Sequence, residues 1–143
     1  MSDGQPTHAT ALAQWTPRAG WRAVLVRGPS GAGKSDLALR LMGRGWRLVA
    51  DDYVHVFASG GAVYAVPPKV IAGRIEARGV GIVDARARGL ARLMLVVVLG
   101  GSPPERLPEP ETTTLAGLPL PLLRLSGFEA SAVEKVAAAI APL

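Results

Sequence analysis

Short apolar runs separated by turn residues mark out the first third of the chain. The segments "THATALAQW" (7–15) and "WRAVLVRG" (21–28) are apolar and partly β-branched, and the turn residues of "TPRAG" lie between them. This pattern predicts two strands joined in a hairpin. In "DLALRLM" (36–42), apolar residues recur at a spacing of four, which indicates a helix with one buried face. The glycines of "GRGW" (43–46) are expected to end that helix.

The remainder of the chain continues this pattern with more strands than helices. "RLVA" (47–50) predicts a strand, "VHVFASGGAVYAV" (54–66) a second hairpin, and "LMLVVVL" (93–99) the most buried strand. "GGSPPERLPEPE" (100–111) is typical of an irregular surface loop. "EASAVEKVAAAIA" (129–141) has the apolar spacing of an amphipathic helix packed on the sheet. Because the hairpins are adjacent, we expect an α/β fold with a mixed sheet and few helices.

Composition supports one globular domain over residues 1–143. Hydrophobic residues make up 49% of the chain and charged residues 19%, values typical of a folded domain. Cysteine is absent, which excludes disulfides and thiolate metal sites. The longest apolar run is too short to cross a bilayer, and no basic segment followed by an apolar one begins the chain. We therefore expect a cytoplasmic protein that does not bind a membrane.

The net charge of +5 does not point to nucleic acid. The basic residues are scattered arginines, and aromatic residues make up only 5% of the chain, whereas a nucleic-acid surface would cluster the two types. The excess positive charge is explained by phosphate handling, by an acidic partner or by ordinary solvated surface, and the last is the commonest case.

The strongest chemical signal is a phosphate-binding loop between the first hairpin and the first helix. The segment fits G-x-x-x-x-G-K-[ST], and strand, loop and helix follow in the required order. Glycines let backbone N–H groups approach a polyphosphate, the lysine bridges the outer phosphates, and the serine hydroxyl faces Mg²⁺. The predicted nucleotide-binding residues are Gly28, Pro29, Ser30, Gly31, Ala32, Gly33, Lys34 and Ser35.

Carboxylates in two later segments are candidates for binding the metal or contacting the acceptor hydroxyl at a bound phosphate. Asp51 and Asp52 follow the predicted strand 47–50, and adjacent side chains should point to opposite sides. One of the pair is then free to face the metal or an acceptor hydroxyl, and the other has a structural role. Glu76 lies in "GRIEARGVGIVDA", followed by Arg78 and two glycines, which suits a metal ligand on a turn with unusual backbone angles. Taken singly, each segment is also typical of an ordinary surface turn.

Taken together, "GPSGAGKSDLALRL", "LVADDYV" and "IEARGVGIVDA" resemble the catalytic domain of the bacterial HPr kinase/phosphorylase family. The resemblance runs from His8 to about Leu125. It implies a mixed-sheet P-loop domain of the HPr kinase / PEP carboxykinase-like type. It further implies ATP and Mg²⁺ as cofactors, a serine of an HPr-like phosphocarrier protein as phosphate acceptor, and assembly as a homo-oligomer, a hexamer in this family.

The resemblance also assigns roles to individual residues. It places the family's phosphate-loop lysine on Lys34 and its magnesium ligands on Ser35 and Glu76. The catalytic aspartate, base in the kinase direction, falls within the Asp51 and Asp52 pair, and its interval from the loop favours Asp52. The remaining catalytic residues implied by the resemblance are His8 in "THAT" and Arg106 in "PERLP".

Two functions of other kinds remain open from the sequence. The loop could serve a regulatory module that binds nucleotide without phosphorylating a protein, or it could serve a small-molecule kinase. No segment matches the family's later loop associated with phosphorolysis, so the kinase direction has the better support.

Overall fold

A computed structural model describes residues 7–68, 73–101 and 104–143. In the described part of the chain, eleven strands and two helices follow one another in this order: β1 (Thr7–His8), β2 (Thr10–Thr16), β3 (Gly20–Arg27), α1 (Lys34–Met42), β4 (Arg47–Ala50), β5 (Tyr53–Ser59), β6 (Ala62–Val66), β7 (Arg74–Ala77), β8 (Gly81–Asp84), β9 (Ala91–Leu99), β10 (Glu111–Leu115), β11 (Leu118–Leu125) and α2 (Ala132–Ile140).

Nine of these strands form one mixed sheet, as the adjacent hairpins predict. Its main path runs β1-β5-β6-β9-β3-β2-β4. Strand β9 pairs in parallel with β3 on one side, and on the other side with β6 near its start and β11 near its end. Strands β7 and β8 form a separate two-stranded hairpin. The carboxyl ends of the parallel strands β3, β9 and β11 therefore meet at one edge of the sheet, where an α/β fold places its ligands.

Both faces of the central strands are buried, because alternate residues of β3 pack into two different core layers. Val24 and Val26 pack in the layer that holds both helices, which includes Leu37 and Val136. Ala23 and Leu25 pack in a second layer built from the strands. Because β3 and β9 are covered on both faces, their sequences are continuous apolar runs instead of alternating ones. Neither helix in the described residues is long and apolar enough to span a membrane.

Most of the predicted elements are confirmed. The first hairpin is present, although Ala9 separates β1 from β2 and lets β1 pair with β5. Helix α1 ends at Met42, α2 lies inside the predicted 129–141, and the second hairpin turns at Gly60 and Gly61. Residues 104–110 form the exposed irregular segment expected of the Pro-rich loop, and residues 102–103 of that prediction lie outside the described residues.

The β10–β11 hairpin is absent from the sequence prediction. Its second strand reads "LPLPLLRL", and proline normally argues against a strand. Here Pro119 pairs with Thr114 and Pro121 with Thr112 before β11 joins β9 at Leu122. The prolines thus lie on a stretch of β11 that has β10 on one side only, where a missing N–H is tolerated.

Candidate functional site

The phosphate loop is placed at the sheet edge by β3 and opens into α1. Gly33 precedes the helix with a φ of 99°, a left-handed conformation that favours glycine. Gly28 lies so close to the end of β9 that a Cβ there would come within 2.8 Å of the Leu99 carbonyl oxygen. Two of the motif glycines are therefore required by the backbone itself, which supports the loop prediction on physical grounds.

Lys34 lies inside the loop and not on its outer surface. Its side chain is 7% exposed, and Nζ donates hydrogen bonds to the carbonyl oxygens of Gly28 at 2.7 Å and Pro29 at 3.2 Å. A buried ammonium needs such acceptors. The loop therefore holds a positive charge at its centre. Nζ can exchange its carbonyl partners for the oxygens of a bound phosphate.

Asp51 connects three segments below the loop. It is 5% exposed, and its Oδ1 accepts hydrogen bonds from the hydroxyls of Thr10 and Ser35, each at 3.0 Å. Its Oδ2 lies 3.5 Å from the backbone N of Glu76. Burial raises the pKa of Asp51, and the nearby Asp52 charge adds to the rise, while the hydrogen bonds from Thr10 and Ser35 oppose it. Asp51 thus orients the Ser35 hydroxyl.

Asp52 faces the other way, as predicted for one member of the pair. It is exposed and has a φ of 67°, in the left-handed region that aspartate and asparagine tolerate best among non-glycine residues. Its carbonyl accepts a hydrogen bond from Ala9 N at 2.9 Å, and Tyr53 N bonds Asp51 O at 2.8 Å. The separation of the two side chains therefore comes from a tight backbone turn and not from an extended strand.

Glu76 lies on strand β7 and not on a turn, which corrects the sequence interpretation. The turn comes after it, over residues 78–80, where Gly79 has a φ of 89°. Ile75 is buried against the helix layer, so strand alternation exposes Glu76 on the opposite side.

One cavity of about 300 Å³ brings most of the predicted site residues together. Residues from β1, the phosphate loop, α1, the β4–β5 turn, the β7–β8 hairpin and the segment before α2 line it: His8, Ser30, Gly31, Gly33, Lys34, Ser35, Asp36, Leu39, Asp52, Glu76, Arg78 and Phe128. Arg106 is not among them and lies on the exposed segment 104–110. The structure therefore assembles every predicted catalytic and metal residue except Arg106.

Three residues at this site carry roles that the sequence interpretation did not assign. Thr10 holds Asp51 from the neighbouring strand, and no local sequence pattern points to it. Arg78 lines the cavity beside Glu76, where it supplies a second positive charge. Phe128 lines it from a segment whose pattern gives no hint of a site.

The donor set fits magnesium shared with a substrate. Ser35, Asp51, Asp52 and Glu76 offer hydroxyl and carboxylate oxygens, the hard ligands that Mg²⁺ prefers. Over residues 7–68, 73–101 and 104–143, no group of three or more His, Asp or Glu side chains forms a dedicated metal cage. Magnesium sites of phosphate-transferring proteins need only one or two protein ligands, because water and phosphate oxygens complete the shell.

Comparison with solved structures shows the fold. The structure of the Hpr(Ser) kinase/phosphatase from Coxiella burnetii superposes with a TM-score of 0.75 at 24% sequence identity, covering 94% of this chain and 93% of that one. The predicted α/β fold of the HPr kinase type is thereby confirmed.

Sequence comparison relates part of the chain to one family. The chain is 44% identical over 84 residues to the HPr kinase/phosphorylase of Enterococcus faecalis, and 50% identical over 62 residues to that of Streptococcus thermophilus. These matches cover 53% and 43% of this chain, but only 27% and 20% of those proteins. The family profile of the HPr Serine kinase C-terminal domain matches residues 21–91, which include the phosphate loop, the Asp pair and Glu76. Residues 21–91 of the chain thus match the HPr Serine kinase C-terminal domain family.

Proposed function

We propose that this domain is an ATP-dependent serine kinase whose acceptor is an HPr-like phosphocarrier protein. The observation that carries the proposal is the single cavity in which a phosphate loop, a serine oriented by a buried aspartate, and a second, exposed aspartate meet. The names of the sequence relatives supply the acceptor. The proposal extends to magnesium as cofactor, to action in the cytoplasm, and to assembly as a homo-oligomer, hexameric as the family resemblance implies.

The phosphate-loop side of the cavity holds the phosphates of the nucleotide. Backbone N–H groups of the loop and Lys34 neutralise the phosphate charge, which keeps the γ-phosphorus in place for an in-line attack. Ser35, with Glu76, would hold Mg²⁺, whose charge further stabilises the transferring phosphoryl group. Asp51 keeps the Ser35 hydroxyl pointed at that position.

The exposed half acts on the acceptor. Asp52 accepts the proton of the incoming serine hydroxyl while the serine oxygen bonds to the γ-phosphorus. The bond from that phosphorus to the β,γ-bridging oxygen breaks at the same time, and ADP is released. His8, held beside Tyr53 with a ring-centroid distance of 5.4 Å, can share that proton. Arg78 is placed to neutralise charge on the phosphoryl oxygens.

The experiment is transfer from labelled ATP to purified HPr carrying either serine or alanine at its regulatory position. We expect label on the serine form only, and no label with Lys34→Ala, whose ATP affinity should also fall. Label on both HPr forms, or only on a different cellular protein, would remove HPr as acceptor and leave a general protein kinase. Label on a metabolite alone would favour a small-molecule kinase.

A nucleotide-binding regulatory module is the second candidate. It is favoured by the position of Arg106. The family resemblance implies that this arginine is catalytic, yet it lies outside the cavity. ATP binding with slow turnover and no labelled acceptor of any kind would support it.

A further inference from the structure

An aromatic ring rests on the phosphate loop without being part of the protein core. Phe128 is 65% exposed, yet it lines the cavity. Its ring lies against Gly33, such that a Cβ built on Gly33 would come within 3.2 Å of the ring atoms Cε1 and Cζ. What distinguishes Phe128 from other exposed apolar side chains is that it lines this cavity and lies against the phosphate loop, where a ligand can cover it.

The segment that carries Phe128 is fixed to the helix of the phosphate loop. Arg40 of α1 donates hydrogen bonds to the carbonyl oxygens of Gly127 at 2.8 Å, Glu129 at 2.9 Å and Ala130 at 3.3 Å. Gly127 is itself packed so tightly that a Cβ would come within 2.7 Å of the Ala32 carbonyl oxygen. The ring is therefore held in register with the loop by contacts on both sides of it in sequence.

The cavity lining also includes an apolar side chain of the kind that a nucleotide base contacts. Leu39, half-buried on α1, lines the cavity together with Phe128 and Gly33. The proposed proton acceptor, Asp52, comes from the β4–β5 turn. In an in-line transfer the acceptor hydroxyl and the departing ADP lie on opposite sides of the phosphorus. The base must therefore be bound by residues other than those that serve the hydroxyl.

We infer that Phe128 is the platform on which the base of the bound nucleotide stacks. The inference rests on the proposed nucleotide binding and deepens it. Stacking on a ring face does not require a particular pattern of donors and acceptors, and every base has such a face. The site should therefore bind ATP and GTP with affinities within about fivefold of each other.

The test compares ATP, GTP and inorganic tripolyphosphate by calorimetry in the presence of Mg²⁺. Tripolyphosphate reaches the loop but has no base. Phe128→Ala should weaken ATP and GTP binding by about 5- to 20-fold, the lower part of the range for one stacked base, because part of the ring already lies against Gly33. Tripolyphosphate binding should stay within about twofold. Phe128→Trp should retain nucleotide affinity, and Leu90→Ala, which removes an exposed apolar side chain outside the cavity, should change nothing.

The outcomes separate this inference from the proposed function. If the wild-type protein binds neither ATP nor tripolyphosphate, the proposed function fails and the inference fails with it. If the wild type binds both and Phe128→Ala binds ATP equally well, only the inference fails. An equal loss of ATP and tripolyphosphate would mean that the ring shapes the loop. A raised KM for the protein acceptor with unchanged ATP affinity would mean that the ring contacts the acceptor instead.

Discussion

The cavity has a buried floor and an exposed rim, and the two are built differently. The floor and the layer directly beneath it consist of Thr10, Lys34, Ser35 and Asp51. The hydroxyls of Thr10 and Ser35 donate to Asp51 at 3.0 Å, and Lys34 donates to the carbonyl oxygens of the loop at 2.7 and 3.2 Å. The rim consists of His8, Asp52, Glu76, Arg78 and Phe128, all of them exposed. The side chains of Asp52, Glu76 and Arg78 make no hydrogen bond to another described residue.

This difference follows from burial. A polar group away from water must find a partner inside the protein, so folding itself fixes the floor. A rim side chain is solvated and keeps rotamer freedom until a ligand orders it. Substitutions in the floor should therefore change stability as well as activity, and substitutions in the rim should change activity alone.

The largest expected effect comes from the two aspartates, which lie on either side of this division. Asp52→Asn should lower the rate of phosphate transfer about 10²- to 10⁴-fold, because it removes the proton acceptor. Asparagine is suited to the left-handed backbone at this position, so the free energy of unfolding and the ATP affinity should hardly change. Single-turnover transfer, ATP titration and urea denaturation measure the three quantities.

Asp51→Asn is the matched control for that prediction. It should lower the free energy of unfolding by about 1–3 kcal/mol, because the amide NH₂ either replaces Oδ2 and meets the Glu76 N–H, donor against donor, or replaces Oδ1 and loses both hydroxyl hydrogen bonds. If Asp51→Asn is the inactive variant of normal stability and Asp52→Asn transfers phosphate normally, the assignment of the base within the pair is wrong.

The next effect concerns magnesium. Glu76→Gln should raise the Mg²⁺ concentration needed for half-maximal transfer by about tenfold or more, because one carboxylate ligand is lost. Asp84→Asn on the paired strand β8 is the control, since Asp84 is exposed and outside the cavity. An unchanged magnesium requirement in Glu76→Gln would remove this residue from the metal site.

A stability effect without a direct catalytic one is expected from Thr10. Thr10→Val keeps the shape of the side chain but removes the hydroxyl that bonds Asp51. Its free energy of unfolding should fall by about 1–3 kcal/mol. Thr112→Val, on the exposed strand β10, should stay within about 0.5 kcal/mol of wild type. Equal stability of the two variants would mean that the floor is not held by its hydrogen bonds.

The sequence predicts those parts of the site that depend on local spacing. The phosphate loop, the Asp pair and both flanking strands are recognisable because their residues are neighbours in the chain. The bond between Thr10 and Asp51 spans 41 positions, and that between Arg40 and Gly127 spans 87. Such contacts depend on how the sheet is assembled, so no local pattern reveals Thr10 as a floor residue or Phe128 as a rim residue.

The β10–β11 hairpin was missed for another reason. Local propensity argues against strands in "LPLPLLRL", but the parallel pairing with β9 from Leu122 onward overrides it. The placement of Glu76 on a turn is wrong for a different reason, because the glycines that follow it belong to the hairpin connection and not to the strand that carries the carboxylate.

The smallest expected effect concerns Arg106, which tests how far the rim extends. This residue lies on the exposed segment 104–110 and does not line the cavity, although the family resemblance implies a catalytic role for it. Arg106→Ala should leave ATP affinity within about twofold of wild type, as expected for an exposed side chain remote from the nucleotide. It should lower transfer to HPr less than Arg78→Ala does, because Arg78 already lies in the cavity. Transfer assays at saturating ATP with both variants make the comparison. A larger loss for Arg106→Ala than for Arg78→Ala, with ATP affinity unchanged, would mean that the Pro-rich segment closes over the site only when the acceptor protein is bound.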